Sequence, residues 1–169
     1  DTINILVAPV IPFDLGADIK KCNGDTVIIK APGSFSKYTW SPGYNVNTTN
    51  GSTVKLWPAT DTTYIVIAEV AKGCTVVDSI RIKVNKSVKP GIGNDTSFCS
   101  GGVAVFKVPN GFVNYTWQDG SVNQSYAATA KGMYYVAVTD SNGCVAGDTA
   151  FVNNVYPLPL VSLGNDFAI

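Results

Sequence analysis

The feature that most limits how this chain can fold is an internal repeat. Leu15-Gly16-Ala17-Asp18 returns as Ile92-Gly93-Asn94-Asp95, and Cys22, Pro32, Phe35 and Tyr38-Thr39-Trp40 return as Cys99, Pro109, Phe112 and Tyr115-Thr116-Trp117, all at a spacing of 77 residues. Beyond the tryptophans the spacing is 70, matching Tyr64 to Tyr134, Cys74 to Cys144 and Asp78 to Asp148. One seven-residue length difference between Trp40 and Tyr64 accounts for the change. The fold must therefore be one that a segment of roughly 75 residues can complete, and such a small domain has a modest core that a covalent staple would help.

The same words occur at both ends of the chain. Asp1-Thr2-Ile3-Asn4-Ile5-Leu6-Val7 matches Asp78-Ser79-Ile80-Arg81-Ile82-Lys83-Val84, and Leu163-Gly164-Asn165-Asp166 repeats the opening phrase of each module. Residues 1–13 are thus expected to hold the last strand of a preceding module with its linker, 14–88 the first complete module, 89–158 the second, and 159–169 the first strand of a following one. The linkers "NKSVKPG" and "NNVYPLPLVS" are short and carry proline, which is expected to limit bending between modules.

The segments between Gly, Pro, Asn and Ser clusters are short and rich in β-branched and aromatic residues: "DTVIIKAP", "STVKLW", "TYIVIAEV" and "DSIRIKV" in the first module, "VAVFKVP", "QSYAAT", "YYVAVTD" and "DTAFVNNV" in the second. No segment sustains a helical period. Many short strands without intervening helices predict an all-β fold of tandem Ig-like β-sandwich modules. Asp140-Ser141-Asn142-Gly143 lies between two such strands and predicts a hairpin with a type I′ turn, because Asn-Gly supplies two positive φ angles.

Several chemistries are excluded by composition. The chain has no histidine, which removes Ser-His-Asp and Cys-His nucleophiles and His-ligated zinc. Glu69 is the only glutamate, and Asp78 and Asp148 recur at one module position, which assigns them to structure rather than paired acid–base work. No enzyme activity is expected. Net charge is zero with no basic run, so no nucleic acid is expected as partner. No apolar run of about 20 residues is present, so no direct membrane insertion is expected. No cofactor is expected; calcium is the one candidate metal, on Asp18, Asp95 and Asp166 near the module starts, although no dense oxygen-ligand loop accompanies them.

Leu-Gly-x-Asp, a Cys four residues later, Tyr-x-Trp, Tyr-x-Val, Gly-Cys and Asp-Ser/Thr together resemble the Ig-like (PKD-like) tandem repeats of Bacteroidota cell-surface adhesins, including gliding-motility adhesins exported by type IX secretion. The carriers are "LGADIKKC", "YTW", "TYIVIAEVAKGC" and "DSI", then "IGNDTSFC", "YTW", "YYVAVTDSNGC" and "DTA". The resemblance implies a secreted, extracellular location at the cell surface, and a stalk whose partners are neighbouring modules of the same chain. It also implies O-glycosylation of Asp-Ser/Thr sequences, here at Thr2, Thr26, Thr62, Ser79 and Thr149. The alternative is a carbohydrate-binding or spacer module of a secreted polysaccharide-degrading enzyme.

In an exported protein the four cysteines read as a disulfide framework. One bond per module, Cys22 with Cys74 and Cys99 with Cys144, would close loops of about 50 residues and contribute about 3 to 4 kcal/mol each. Cys22 precedes its strand and Cys74 follows a turn glycine, unlike the mid-strand cysteines of antibody domains, which leaves a bridge from Cys22 to Cys144 as the second scheme. Trp40 and Trp117 share a strand face with Tyr38 and Tyr115 and are expected in the cores. Trp57, with Tyr126 near its position in the second module, is the candidate platform for a surface polysaccharide, with the longer loop from Ser41 to Asn50 beside it.

Overall fold

The computed structural model describes residues 12–71, 73–162 and 164. The chain divides into two compact units between Lys86 and Ser87, and all the regular structure in the described residues is β-strand. In the first unit β1 (Ile19–Cys22), β2 (Val27–Lys30), β3 (Lys37–Ser41), β4 (Thr53–Leu56), β5 (Thr62–Ala71) and β6 (Cys74–Asn85) form a four-stranded sheet of order β1-β6-β5-β3 and a two-stranded sheet of β2 and β4. In the second unit β7 (Thr96–Cys99), β8 (Ala104–Lys107), β9 (Phe112–Trp117), β10 (Ser125–Ala128), β11 (Gly132–Asp140) and β12 (Val145–Tyr156) repeat that plan as β7-β12-β11-β9 with β10-β8. Each unit is an Ig-like sandwich, the class the alternation predicts.

The core follows from the two-residue period of a strand. On β5, Tyr64, Val66 and Ala68 are buried while Ile65 and Ile67 face out, and on β11 Tyr134, Val136 and Val138 are buried while Met133 and Tyr135 face out. Ile29, Val54 and Leu56 of the small sheet meet Tyr38, Trp40, Ile80 and Ile82 of the large one. Both tryptophans lie in the cores as expected, Trp40 at 2% exposure and Trp117 at 1%. Each keeps its indole N–H satisfied, donating to Gly51 O at 2.9 Å and to Asn123 O at 2.8 Å, so burial leaves no unmet donor.

Four expectations change. First, Cys22 does not precede its strand: it ends β1, which pairs in parallel with the end of β6, as β7 does with the end of β12. These four-residue strands mix charged and polar residues with few apolar ones and show no clear alternation, so composition did not mark them. Second, the strand that the segment ending at Val155 predicts runs on to Tyr156, and its last residues are no linker, because β7 pairs with Asn154, Val155 and Tyr156. Third, the β11–β12 turn is not type I′. Only Gly143 has positive φ (80°), Gly143 N donates to Asp140 O, and the Asp140 carboxylate accepts from Asn142 N and Cys144 N. A three-residue loop closed by a left-handed glycine is the result.

Fourth, Tyr126 is not the counterpart of Trp57. Tyr126 pairs with Phe106 as Val54 pairs with Ile29, which makes Val54 the equivalent of Tyr126 and Thr129 the equivalent of Trp57. The length difference is therefore split, with most of it before β4 and the remainder after. The expected flanking strands at Asp1–Val7 and at 159–169 lie wholly or largely outside the described residues.

Candidate functional sites: two cysteine ends, an aspartate clasp and an inserted loop

The pairing of one disulfide per module is overturned. Cys74 and Cys99 are free, exposed thiols, whereas Cys22 and Cys144 are disulfide-bonded. Strand geometry gives the reason. Cys22 lies beside Asn85 at the exit end of β6, while Cys74 starts β6 at its hairpin end. Eleven residues of strand separate those ends, roughly 36 Å at about 3.3 Å per residue. Cys99 lies beside Tyr156 at the exit end of β12, and Cys144 precedes Val145 at the other end, about 40 Å away by the same rise. A disulfide needs Cα atoms within about 7 Å, so neither module can close its own pair.

The recurring aspartates form a clasp. Asp78 Oδ2 accepts from Leu15 N at 2.7 Å, and Asp18 Oδ1 accepts in return from Arg81 N at 3.1 Å. The second module repeats both bonds, Asp148 Oδ2 from Ile92 N at 2.9 Å and Asp95 Oδ1 from Phe151 N at 2.9 Å. Each carboxylate satisfies an amide that strand pairing leaves over, which explains the repeated Leu/Ile-Gly-x-Asp and Asp-Ser/Thr words without any catalytic role. No group of three His, Cys, Asp or Glu is clustered among the described residues, and Asp166 lies outside them.

The two clasps differ in charge. Asp148 is buried and its Oδ1 meets Lys89 Nζ at 2.7 Å, a cation whose position in the first module is taken by Pro12. Burial pushes the Asp148 carboxyl up, but the hydrogen bonds from Lys89 and from the Ile92 and Thr149 amides outweigh it and hold the pKa below the ordinary aspartate value. The first module places its extra pair elsewhere. Asp61 accepts from Val84 N at 2.8 Å and pairs with Arg81 at 3.2 Å, and these hold its carboxyl low too, the amide most.

The insertion after Trp40 folds back on β4. Val46 bridges Leu56, Asn47 N donates to Lys55 O at 3.1 Å, Lys55 N donates to Asn47 Oδ1 at 2.7 Å, and Trp57 N donates to Asn45 O at 3.0 Å. This covers an edge that a four-residue strand would otherwise present to other chains. Trp57 itself is 41% exposed. Of the sugar-acceptor candidates, Thr26, Ser79 and Thr149 are exposed, Thr62 is half-buried with its hydroxyl donating to Thr60 O at 2.8 Å, and Thr2 lies outside the described residues. Ser79 and Thr149 stand on the outer faces of β6 and β12, opposite Ile65 and Tyr135. In both words the aspartate turns inward to the clasp and the hydroxyl outward.

No protein-family model matches the chain, and no curated protein matches it. Among solved structures it is similar to a C-terminal fragment of intimin solved with the intimin-binding domain of its translocated receptor, at 15% identity and a TM-score of 0.50, over 86% of this chain and 65% of that one. It is also similar to the insect immune protein hemolin, at 15% identity and a TM-score of 0.42, over 85% of this chain and 46% of that one. A glucan-utilisation protein of Bacteroides ovatus, solved with a mixed-linkage heptasaccharide, matches at 16% identity and a TM-score of 0.36, over 86% of this chain and 46% of that one. The chain thus spans less than two thirds of each of these structures. The likeness to the intimin fragment shows the fold: these are tandem Ig-like β-sandwich modules. No helix among the described residues is long and apolar enough to cross a membrane.

Proposed function

We propose that the chain is a non-catalytic segment of the stalk of a long, repetitive, secreted adhesin or surface filament at the cell surface, of the kind carried by gliding Bacteroidota and exported by type IX secretion. The observation that carries this reading is where the polar chemistry goes. Each module's aspartate clasp is spent on backbone amides, and the same plan is built twice. Repetition adds length, and many weak contacts at a distal tip become strong through multivalency. This role requires no cofactor or metal; its partners are neighbouring modules.

Glycans on Thr26, Ser79 and Thr149 fit the same role. Ile65, Ile67 and Val77 on one outer face and Met133, Tyr135, Val145 and Phe151 on the other are exposed beside Ser79 and Thr149, and a sugar there would solvate apolar surface on a low-charge molecule.

A second reading, contact with a surface polysaccharide, rests on the exposure of Trp57 next to a braced loop. Titration calorimetry of the chain and its Trp57→Ala variant with a β-glucan oligosaccharide separates the two. A stalk segment gives no saturable heat with either protein; saturable binding that Trp57→Ala abolishes would replace the stalk reading with a carbohydrate-binding one.

A further inference from the structure

The free thiols have a position and a history within the repeat. Cys74 stands at the hairpin end of its module and Cys99 at the exit end of the other, both exposed. Their repeat equivalents are Cys144 and Cys22, and both of those are disulfide-bonded. Each position is therefore seen taking up a disulfide in one copy of the fold and left open in the other. Neither open thiol can be satisfied inside its own module, since Cys22 and Cys144 lie at the opposite ends and are already bonded. Moreover, the bonded cysteines comprise one of the exit-end kind and one of the hairpin-end kind.

We propose that Cys99 and Cys74 are the two halves of a covalent junction, in which exit-end Cys99 of one copy bonds hairpin-end Cys74 of a second copy of this module pair. The inference deepens the stalk reading and rests on it. A contact between two different ends is heterologous and leaves one open end on each partner, so further copies are able to add head to tail. The chemistry is thiol–disulfide exchange with a small disulfide oxidant such as oxidised glutathione. One cysteine thiolate attacks the oxidant and releases one reduced glutathione. The second thiolate then attacks the cysteine sulfur of the mixed disulfide and releases another. Two protons and two electrons pass from the cysteines to the oxidant, and one S–S bond replaces another.

The test uses two variants of the whole chain, Cys74→Ser and Cys99→Ser, mixed in equal amounts in a glutathione redox buffer and resolved by non-reducing gel and peptide mapping. The expected product is the mixed dimer linked through Cys99 of the first and Cys74 of the second, in several-fold excess over the two like-with-like dimers combined. The unmodified chain should give a ladder that collapses on reduction, and the double variant should stay monomeric. Random collision of exposed thiols would instead make the mixed dimer equal to the like dimers combined, and that ratio, or the absence of dimers, overturns the proposal. Thermal melts of the variants, matched to the unmodified chain, establish that folding is intact. Glycan binding by the monomer would sink the stalk reading without changing this ratio, so the two failures are distinguishable.

Discussion

The two modules carry the same plan with different local solutions, and their differences separate what the fold requires from what each copy improvises. The tryptophan with a satisfied indole N–H, the aspartate clasp and the two cysteine ends occur in both. What varies is how the space around the short sheet is closed. In the first module the insertion braces β4 through Asn45, Val46 and Asn47; in the second, Tyr126 packs at a tilt against Trp117 and Tyr134, with ring centroids 5.2 and 5.5 Å apart. Backbone pairing at an edge and aromatic packing in the interior serve the same strand. The clasp varies in charge as well, with Lys89 against Asp148 in the second module and Pro12 at that position in the first.

The sharpest way to separate shared from improvised features is to remove a shared one. Trp40→Ala and Trp117→Ala should each cost about 3–5 kcal/mol and unfold their own module, as two resolved transitions in denaturant melts would reveal. If both substitutions destabilise one common transition, the modules are not the independent cores described here.

A smaller effect is expected at the clasps. Asp148→Ala leaves the buried Ile92 N–H without its acceptor and breaks the pair with the exposed Lys89, and should cost about 1–3 kcal/mol, more than Asp78→Ala, whose carboxylate meets no cation among the described residues. The pH dependence follows from the lowered Asp148 pKa. Its contribution is fully present above the unfolded aspartate value of about 3.9 and is lost as pH falls through the lower folded value, so urea midpoints of the second module should drop on acidification below about pH 4. Asp148→Asn should flatten that acid limb, and an unchanged limb would count against the clasp.

The smallest expected change belongs to the improvised brace. Asn47→Ala removes the acceptor of Lys55 N and should cost about 0.5–1.5 kcal/mol in the first module while leaving the second untouched. Equal losses in both transitions of the melt would mean that the insertion does not act on β4 alone.

Much of this architecture is legible in the sequence because repetition and two-residue alternation report directly on burial. The long strands, the buried tryptophans and the structural role of Asp78 and Asp148 are read from spacing alone. β1 and β7 are not, since a four-residue strand paired in parallel along one edge has too few inward positions to show a pattern. The turn after Asp140 misleads because Asn-Gly serves two loop types, and the Asp140 carboxylate, bonding two amides, selects the longer one. The disulfides mislead for a related reason: counting cysteines gives their number per module, whereas pairing depends on which end of a long strand each one reaches. Only the parallel register of β1 on β6 and of β7 on β12 supplies that.

The separation of the cysteines to opposite module ends is the centre of this account, and it is tested most directly by alkylating the monomeric, non-reduced chain and mapping its peptides by mass spectrometry. Cys74 and Cys99 should carry the alkyl label, and Cys22 and Cys144 should appear only in disulfide-linked peptides. Peptides joining Cys22 to Cys74, or Cys99 to Cys144, would contradict the strand registers from which the two ends were defined.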